Sequence, residues 1–243
     1  MSPAVPTGTS PTVAVVVPVY NRAAVVAEAI QSALGQTHPS VEVHVVNDGS
    51  TDSTGSVLDS IAATDHRVVV SHQPNAGPAA ARNRAIAGCR AEWITFLDSD
   101  DLLLPDAVAG HFSWLAENPG YAAVMGRSRT EFQPGVEPPP LIAAKFARDG
   151  TVPIFHTALI RRDAVVNVGG YDESLRIAED TDLHWRLVEA GVSIGVRDEP
   201  IIVRRIFGDN LSYERPEGGT DDLLDLAQRA IDRKRRRDSR PGS

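Results

Sequence analysis

The 243-residue sequence predicts an α/β fold in which a Rossmann-like, mostly parallel central sheet is covered by helices on both faces. Three observations support this prediction. Short apolar runs alternate with helix-length segments over residues 13–98, which is the pattern of βαβ units. The apolar runs are rich in valine, as expected for strands that are buried on both faces. Each run is followed by a short polar turn.

The first half of the chain alternates regularly between strand and helix. The predicted strands are 13–19 (VAVVVPV), 41–47 (VEVHVVN), 67–72 (RVVVSH) and 92–98 (EWITFLD), and the predicted helices are 22–36, 53–64 and 77–89. Ligands of such sheets bind beyond the carboxyl ends of the strands. The turns YNR, NDGSTDS, HQPNAG and DSDD are therefore expected to line one edge of the sheet and to form the binding site.

The second half is less regular. A proline-rich stretch, 133–140 (QPGVEPPP), excludes a helix or a central strand and is interpreted as a mobile loop. A strand is predicted at 153–160 (PIFHTALI), a Gly-Gly turn at 169–170 and a helix at 178–191. We expect three regions along the chain: a flexible leader over 1–12, a single large domain over 13–212, and a C-terminal helix with a basic tail over 213–243.

Composition excludes several classes of function. With 24 basic and 32 acidic residues the formal net charge is −8, so the body of the protein has no general attraction for nucleic acid or anionic lipid. The single cysteine, Cys89, excludes an internal disulfide and a cysteine-based zinc cluster. No run approaches the roughly 18 apolar residues of a membrane span, and the N-terminus lacks the features of a signal peptide. We therefore expect a soluble, cytoplasmic protein.

The stretch DSDD at 98–101 places three carboxylates at the end of a predicted strand, where like charges repel. Helix capping explains one of them, since Asp100 or Asp101 could serve as the N-cap of the following helix. A divalent cation explains the others, because Mg²⁺ and Mn²⁺ bind carboxylate oxygens together with substrate phosphates. The Asp-x-Asp spacing lets Asp98 and Asp100 reach one ion. An EF-hand loop is excluded because its glycine is missing.

Four motifs occur in one order along the chain: VVVPVYNRAAVVAEAIQSALGQT, VVNDGSTDST, NAGPAAARNRAIAGCRAEWITFLDSDDLLLPDAV and ALIRRDAVVNVGGYDESLRIAEDTDLHWRL. Together they resemble the family 2 glycosyltransferases of the GT-A fold, over residues 13–212. The resemblance implies a nucleotide-sugar-binding half (13–126) and an acceptor and catalytic half (127–212). It implies transfer of a sugar from a nucleoside-diphosphate sugar, of the UDP or dTDP type, to a hydroxyl. The acceptor could be a saccharide, a lipid-linked intermediate, a natural product or a peptide.

The resemblance assigns the base end of the donor site to the first two turns. Pro18, Tyr20 and Asn21 in PVYN are expected to pack on the nucleotide base, and Asp48 in NDGS to accept a hydrogen bond from a uracil-type ring. An aromatic face suits base stacking, and an ionised carboxylate suits a ring N–H. The structural alternatives are a half-buried tyrosine at a strand end and a turn-forming aspartate ahead of Gly49.

The phosphate end of the donor site is assigned in the same way. Arg82 in ARN is expected near the nucleotide and diphosphate, although an arginine on a helix surface is often only solvated. Asp98 and Ser99 are expected to contact the ribose and sugar. Asp100, with Asp98, is expected to bind the Mn²⁺ or Mg²⁺ ion.

The resemblance places the catalytic pair in AED. Asp180 matches the general base of the family, on the side of the sugar opposite the leaving diphosphate, and Glu179 matches its orienting partner. Carboxylates in the first turn of a helix also complement the helix dipole, and that is the structural alternative for Glu179, Asp180 and Asp182 alike.

The sequence departs from the family pattern near its C-terminal motif. Many relatives have a histidine that completes the metal or diphosphate site, and Phe207 stands at about that position here. Arg204, Arg205 and Asn210 could partly substitute for it or could be structural. The remaining histidines near this half of the site, His156 and His184, are interpreted as structural rather than as ligands.

Two other functions remain open from sequence. A sugar nucleotidyltransferase would share the sheet and the acidic site, but the glycine-rich loop expected after its first strand is absent. A non-catalytic module that binds a sugar nucleotide or a partner is the second alternative. The basic tail is predicted to make at most a weak contact with a membrane surface or an acidic partner, and is otherwise a solvated helix end. Its basic residues are Arg233, Lys234, Arg235, Arg236 and Arg237.

Overall fold

The computed structural model describes residues 10–137, 151–153, 155–175, 178–208, 227–233 and 235. The strands in this part of the chain are β1 (Val13–Val19), β2 (Val41–Asp48), β3 (Val68–Gln73), β4 (Trp93–Phe96), β5 (Leu102–Leu103), β6 (Ala123–Phe132), β7 (Thr151–Pro153), β8 (Leu159–Arg161) and β9 (Ile194–Ile206). The helices are α1 (Val26–Leu34), α2 (Thr54–Ala62), α3 (Pro78–Gly88), α4 (Ala107–Glu117), α5 (Arg162–Asn167) and α6 (Glu179–Glu189), with a 3₁₀ turn at Phe155–Thr157 and further helical residues at 227–233.

All of these strands join one sheet in the order β3-β2-β1-β4-β8-β6-β9-β5, with β7 paired to β6. The first-half strands β1 to β4 run parallel to one another. Antiparallel β8 then connects β4 to β6, and β6 and β9 form a long parallel pair with a register shift near Arg127. The predicted α/β class with a mostly parallel central sheet is confirmed for the first half, while the second half makes the sheet mixed.

Strand β1 shows why helices cover both faces. Val15 and Val17 are fully buried against the side that carries α1 and α2, where Ile30 and Leu58 also lie. The alternating residues Ala14 and Val16 are fully buried in a second cluster, formed with residues of α3 and α6. A strand that is apolar at every position therefore has both faces covered.

Helix α3 packs closely on the sheet because its inward residues are small. Ala79, Ala81 and Ala85 are buried against β1 and β2. Gly77, with φ of +95°, turns the chain into the helix in a conformation that favours glycine, and Pro78 follows at a first-turn position. Because α3 lies close to the sheet, its polar residues reach the carboxyl edge of the strands.

The predicted strand at 153–160 is wrong. The chain forms β7 up to Pro153, a 3₁₀ turn at Phe155–Thr157 and then β8. Phe155, His156 and Thr157 form this turn, and all three are buried. The hydroxyl of Thr157 accepts a hydrogen bond from the Gly126 N–H (3.0 Å) and donates one to the Gly126 carbonyl (3.2 Å), which secures the turn against β6.

The capping interpretation of DSDD is also wrong. Helix α4 begins at Ala107 with Asp106 as its N-cap residue, and no side chain makes a capping hydrogen bond there. Asp100 and Asp101 instead precede the short strand β5, which pairs with β9. Neither carboxylate is therefore explained by the helix that follows.

Several predictions concern the ends and loops of the chain. Residues 1–9 of the predicted leader, 138–140 of the proline-rich loop and Asn210 lie outside the described residues, as do Lys234, Arg236 and Arg237 of the tail. Arg233 is described, and it pairs with Asp182 (3.1 Å) and Glu189 (3.0 Å) on α6. None of the described helices is both long enough and apolar enough to cross a membrane.

Acid should destabilise the fold through His111, which is buried on α4 and donates from Nε2 to the Thr157 carbonyl (3.1 Å). Burial, aided by the charge of Arg197, lowers the pKa of His111 from 6.5 to about 4. As the pH falls, His111 takes up a proton in the unfolded chain before it does so in the folded chain. The stability that depends on neutral His111 is therefore fully present above pH 6.5 and is lost as the pH falls toward 4. The expected loss at about pH 4.5 is roughly 2 to 3 kcal/mol.

Urea unfolding at about pH 7.5 and 4.5 checks this expectation. His111→Gln retains a donor that does not titrate and should lose less stability on acidification than wild type. His66→Gln, at an exposed position, is the matched control and should behave as wild type. Equal acid sensitivity of wild type and His111→Gln would contradict the prediction.

Candidate active site

The turns after β1 and β2 are joined at the carboxyl edge of the sheet by Asn21. Its side-chain oxygen accepts a hydrogen bond from the Thr51 N–H (2.8 Å), and its own N–H donates to the Ser50 hydroxyl (2.9 Å). Asn21 has φ of 50°, a left-handed conformation that asparagine tolerates. Tyr20, beside it, is 47% exposed, so its ring is available to a ligand, and Pro18 lies half-buried in β1.

Asp48 is buried at the end of β2 and is already bound by its own chain. One carboxylate oxygen accepts from the Gln73 side chain (2.8 Å) and the Ala76 N–H (2.9 Å), and the other accepts from the Gly77 N–H (2.9 Å). A carboxylate offers about four acceptor positions, and three are used here. Asp48 therefore ties the end of β2 to the start of α3, with one acceptor position left.

The carboxylates of DSDD point to different partners. Asp98 accepts from Arg82 (2.8 Å) and keeps 35% of its side chain exposed. Asp100 lies 3.4 Å from the guanidinium of Arg22. Asp101 is 1% exposed and accepts a hydrogen bond from the backbone N–H of Arg205 in β9 (2.9 Å). Ser99, which stands between Asp98 and Asp100 in the sequence, is buried.

These partners compensate for the crowding of negative charge only in part. Burial and the charges of Asp98 and Asp100 raise the pKa of Asp101 to about 7. Burial and Asp98 raise the pKa of Asp100 as well. Burial acts in the same direction on Asp98, but the positive charges of His156 and Arg82 outweigh it and lower its pKa. Two of the three carboxyl groups are therefore hard to ionise unless positive charge is added nearby.

Arg82 connects the two halves of the site. It is 3% exposed, and its two terminal nitrogens donate to Asp98 and to Glu179, each at 2.8 Å. Glu179 opens α6, 97 residues along the chain from Arg82. The interpretation of this arginine as solvated on a helix surface is thus wrong, and the Glu179 carboxylate accepts a hydrogen bond from Arg82.

Asp180 has two different neighbours. The hydroxyl of Tyr171 donates to its Oδ1 (3.0 Å), and Nδ1 of His156 lies 3.7 Å from its Oδ2. Burial opposes ionisation, but Arg82, His156 and the Tyr171 hydroxyl outweigh it and lower the pKa of Asp180 to about 2. Asp180 is therefore ionised, which is the form that can take up a proton.

Sequence reasoning missed Tyr171 and interpreted His156 as structural, although it lies in the candidate ligand group. The 3₁₀ turn brings His156 into the acidic cluster, where Asp98 and Asp180 raise its pKa although burial acts against the charge. No pattern in the sequence marks Tyr171, which follows the Gly-Gly turn. The interpretation of His184 as structural agrees with its ring stacking on Phe155 at 5.2 Å.

A group of three side chains offers ligand atoms for a cation. Single atoms of Asp98, Asp101 and His156 lie within 4.8 Å of one another. The Nε2 of His156 is buried and has no hydrogen-bond partner in the described structure. Two carboxylates and an imidazole suit Mn²⁺ better than Mg²⁺, which prefers oxygen ligands. The residues thus fit a divalent cation, with Asp98 common to this group and to the predicted Asp98–Asp100 pair.

The C-terminal strand supplies arginines and an aromatic ring instead of a histidine. Arg205 in β9 is buried, pairs with Glu28 of α1, and holds its guanidinium 5.4 Å from the centre of the Phe207 ring. These contacts, together with its N–H bond to Asp101, favour the structural role among the alternatives for Arg205.

Comparison with known proteins identifies the family. A profile of glycosyl transferase family 2 matches residues 14–169. The chain belongs to glycosyl transferase family 2. It is 31% identical to an uncharacterized glycosyltransferase of Rickettsia felis over 226 residues, covering 88% of this chain and 36% of that protein. The chain spans about a third or less of the length of the curated relatives it matches.

Solved structures share the fold of this family 2 member. TarS of S. aureus, in complex with UDP-GlcNAc, has a TM-score of 0.64 at 22% identity, covering 80% of this chain and 58% of that one. The mannosyltransferase PcManGT of Pyrobaculum calidifontis, in complex with GDP-Man and Mn²⁺, has a TM-score of 0.65 at 23% identity, covering 85% and 60%. The GT-A fold expected from the sequence is confirmed.

Removing Arg82 should destabilise the protein strongly. Arg82→Met keeps apolar volume but leaves the buried Glu179 carboxylate and the partly exposed Asp98 without their shared cation. We expect a loss of roughly 2 to 4 kcal/mol, below the largest values for buried pairs because Asp98 is partly solvated. Denaturant unfolding measures it. Arg84→Met, on the exposed side of the same helix, should cost less than about 0.5 kcal/mol. Similar losses in both variants would contradict this expectation.

Proposed function

We propose that this protein transfers a sugar from a nucleoside-diphosphate sugar to a hydroxyl group, with inversion at the anomeric carbon and with help from a divalent cation. The observation that carries the proposal is the convergence of Asp98, Arg82, Glu179 and Asp180 at one sheet edge. They come from three separate elements of a chain that belongs to glycosyl transferase family 2.

The proposed donor site follows the carboxyl edge from β2 to β4. The exposed ring of Tyr20 offers a stacking surface for the base, with Pro18 and Asn21 beside it and the last acceptor position of Asp48 available to a ring N–H. Arg82 donates to Asp98 at the same edge, and Ser99 follows Asp98 in the sequence. The UDP-GlcNAc complex of TarS and the GDP-Man complex of PcManGT support this class of donor. A UDP- or dTDP-sugar remains the proposed donor for this chain.

A Mn²⁺ or Mg²⁺ ion would be held by Asp98 and Asp100, with Asp101 and His156 as the neighbouring ligand group. When bound, it would neutralise charge on the leaving diphosphate. The raised pKa values of Asp100 and Asp101 support a site that lacks positive charge. The Mn²⁺ in the PcManGT complex supports a cation in this fold.

The proposed general base is Asp180. Its Oδ2 takes the proton of the acceptor hydroxyl while the acceptor oxygen attacks the anomeric carbon. The bond between this carbon and the diphosphate oxygen breaks at the same time. At the anomeric carbon one C–O bond forms and one breaks, the proton moves from the acceptor oxygen to Oδ2, and the nucleoside diphosphate leaves with the bonding electrons. The acceptor is a hydroxyl of a saccharide, a lipid-linked intermediate, a natural product or a peptide.

Asp100→Ala should abolish metal-dependent binding of nucleoside diphosphate, because the diphosphate then meets the remaining carboxylates without a fully held cation. Calorimetry with UDP or GDP, with and without Mn²⁺, measures it. Asp163→Ala removes one exposed carboxylate on α5 and should bind as wild type. If Asp101→Ala or His156→Ala loses the Mn²⁺ dependence while Asp100→Ala keeps it, the ligands are Asp98, Asp101 and His156 instead.

Asp180→Asn should keep its shape and leave Mn²⁺-dependent nucleotide binding within about twofold, but lower turnover by roughly 100-fold or more. A donor panel of UDP-, dTDP- and GDP-sugars, read out by release of nucleoside diphosphate, provides the assay. If the carboxylate only complements the dipole of α6, the change costs about 0.3 to 1 kcal/mol of stability and turnover stays near wild type. A wild-type protein that binds but never turns over any of these donors would favour the non-catalytic binding module.

A further inference from the structure

The backbone position of Asp180 does not by itself fix the orientation of its carboxylate. It lies at the second position of α6, directly after the helix start at Glu179, and the preceding Ala178 has a left-handed φ of 62°. A carboxylate in a first turn can rotate toward the free N–H groups of the helix. Whatever fixes its orientation decides which oxygen faces the acceptor.

The hydroxyl of Tyr171 fixes one of the two oxygens. It lies 3.0 Å from Oδ1, and it must be the donor because an ionised carboxylate only accepts. Tyr171 is 2% exposed, and burial together with the charge of Asp180 raises the pKa of its phenol well above the usual value. The phenol therefore remains protonated, and Oδ1 stays occupied.

The other oxygen remains available. Nδ1 of His156 lies 3.7 Å from Oδ2, which is an ion-pair distance but is longer than a hydrogen bond. About a quarter of the Asp180 side chain is exposed, with a relative exposure of 24%, whereas Tyr171 is not. The oxygen that a substrate hydroxyl can reach is thus Oδ2.

Tyr171 is itself held on three sides. Its ring meets Phe96 of β4 edge to face at 5.5 Å, and the guanidinium of Arg82 lies 5.4 Å from the ring centre. The Asn83 side chain accepts from the Tyr171 N–H (2.8 Å) and donates to the Tyr171 carbonyl (2.9 Å). A Cβ at Gly170 would lie 2.6 Å from the Asn83 side-chain oxygen, so the turn before Tyr171 fits closely on α3.

We propose that Tyr171 is a positioning residue for the reaction: its hydroxyl binds Oδ1 of Asp180 and presents Oδ2 to the acceptor, while Asn83 fixes Tyr171 to α3. The proposal rests on the function proposed above, in which Asp180 is the base. Adjacent residues of α3 then hold the first two carboxylates of α6, Glu179 and Asp180, separately. Arg82 holds Glu179 directly, and Asn83 holds Asp180 through Tyr171.

The test is a double-mutant cycle in the full chain. Tyr171→Phe removes only the hydroxyl and should lower kcat about 10-fold or more, in line with the loss of one hydrogen bond to a charged group. Affinity for UDP or GDP with Mn²⁺ should stay within about twofold. In an Asp180→Asn background the same change should alter kcat by less than about twofold, because the oxygen to be oriented no longer acts as a base. The assay is nucleoside diphosphate release from the fastest donor of the panel.

Two further variants separate positioning from folding. Tyr121→Phe, at a 41% exposed tyrosine that packs beside Trp114, is the matched control and should retain wild-type kcat. Asn83→Asp keeps an acceptor for the Tyr171 N–H but loses the donor to the Tyr171 carbonyl and to the Glu173 carboxylate. It should lower kcat in the same direction as Tyr171→Phe, again only when Asp180 is present.

The outcomes distinguish the inference from the proposed function. Near-normal turnover of Asp180→Asn would overturn the base assignment. If Asp180→Asn loses turnover while Tyr171→Phe equals wild type, the positioning role alone is overturned. A Tyr171→Phe variant that slows both backgrounds equally, or that weakens nucleotide binding in parallel with kcat, would also overturn it by revealing a purely structural residue.

Discussion

The structure of the site depends on one buried cation, the guanidinium of Arg82. Burying a charge is costly unless it is paired and hydrogen-bonded. Arg82 meets that requirement with Asp98 at the end of β4 and Glu179 at the start of α6. Their negative charges and that of Asp180 raise the pKa of Arg82 well above its usual value although burial opposes them, so this charge is permanent. The two halves of the chain are thus bound together where the proposed reaction takes place.

The same cation organises the groups around it. The charges of Arg82 and His156 lower the pKa of Asp98 and the pKa of Asp180, so both carboxylates stay ionised. It lies over the ring of Tyr171, whose hydroxyl binds Asp180. A change at Arg82 would therefore act on the donor side and on the acceptor side at once. Effects of mutations at these contacting residues are not expected to be additive.

The crowded carboxylates of DSDD acquire distinct roles from the elements that they meet. Asp101 accepts a hydrogen bond from the Arg205 N–H of β9, and Asp98 accepts one from Arg82 of α3. Asp100 lies near Arg22 of the first turn, and its pKa remains raised. A strand end where two carboxyl groups resist ionisation for want of nearby positive charge is a favourable place for a cation and a diphosphate to bind together. This supports the proposed metal-assisted reaction.

The sequence by itself determined the βαβ alternation, a helix over 178–191, the acidic strand end and the family, because apolar periodicity and short motifs are local properties. It could not determine that 153–160 turns at Phe155–Thr157, since that turn depends on Thr157 binding Gly126 in β6. Only the tertiary structure decided which partner each carboxylate takes. Arg82 and Glu179 are separated by 97 residues, and Asn83 and Tyr171 by 88. Such contacts arise from how the helices pack on the sheet, and no local pattern encodes them.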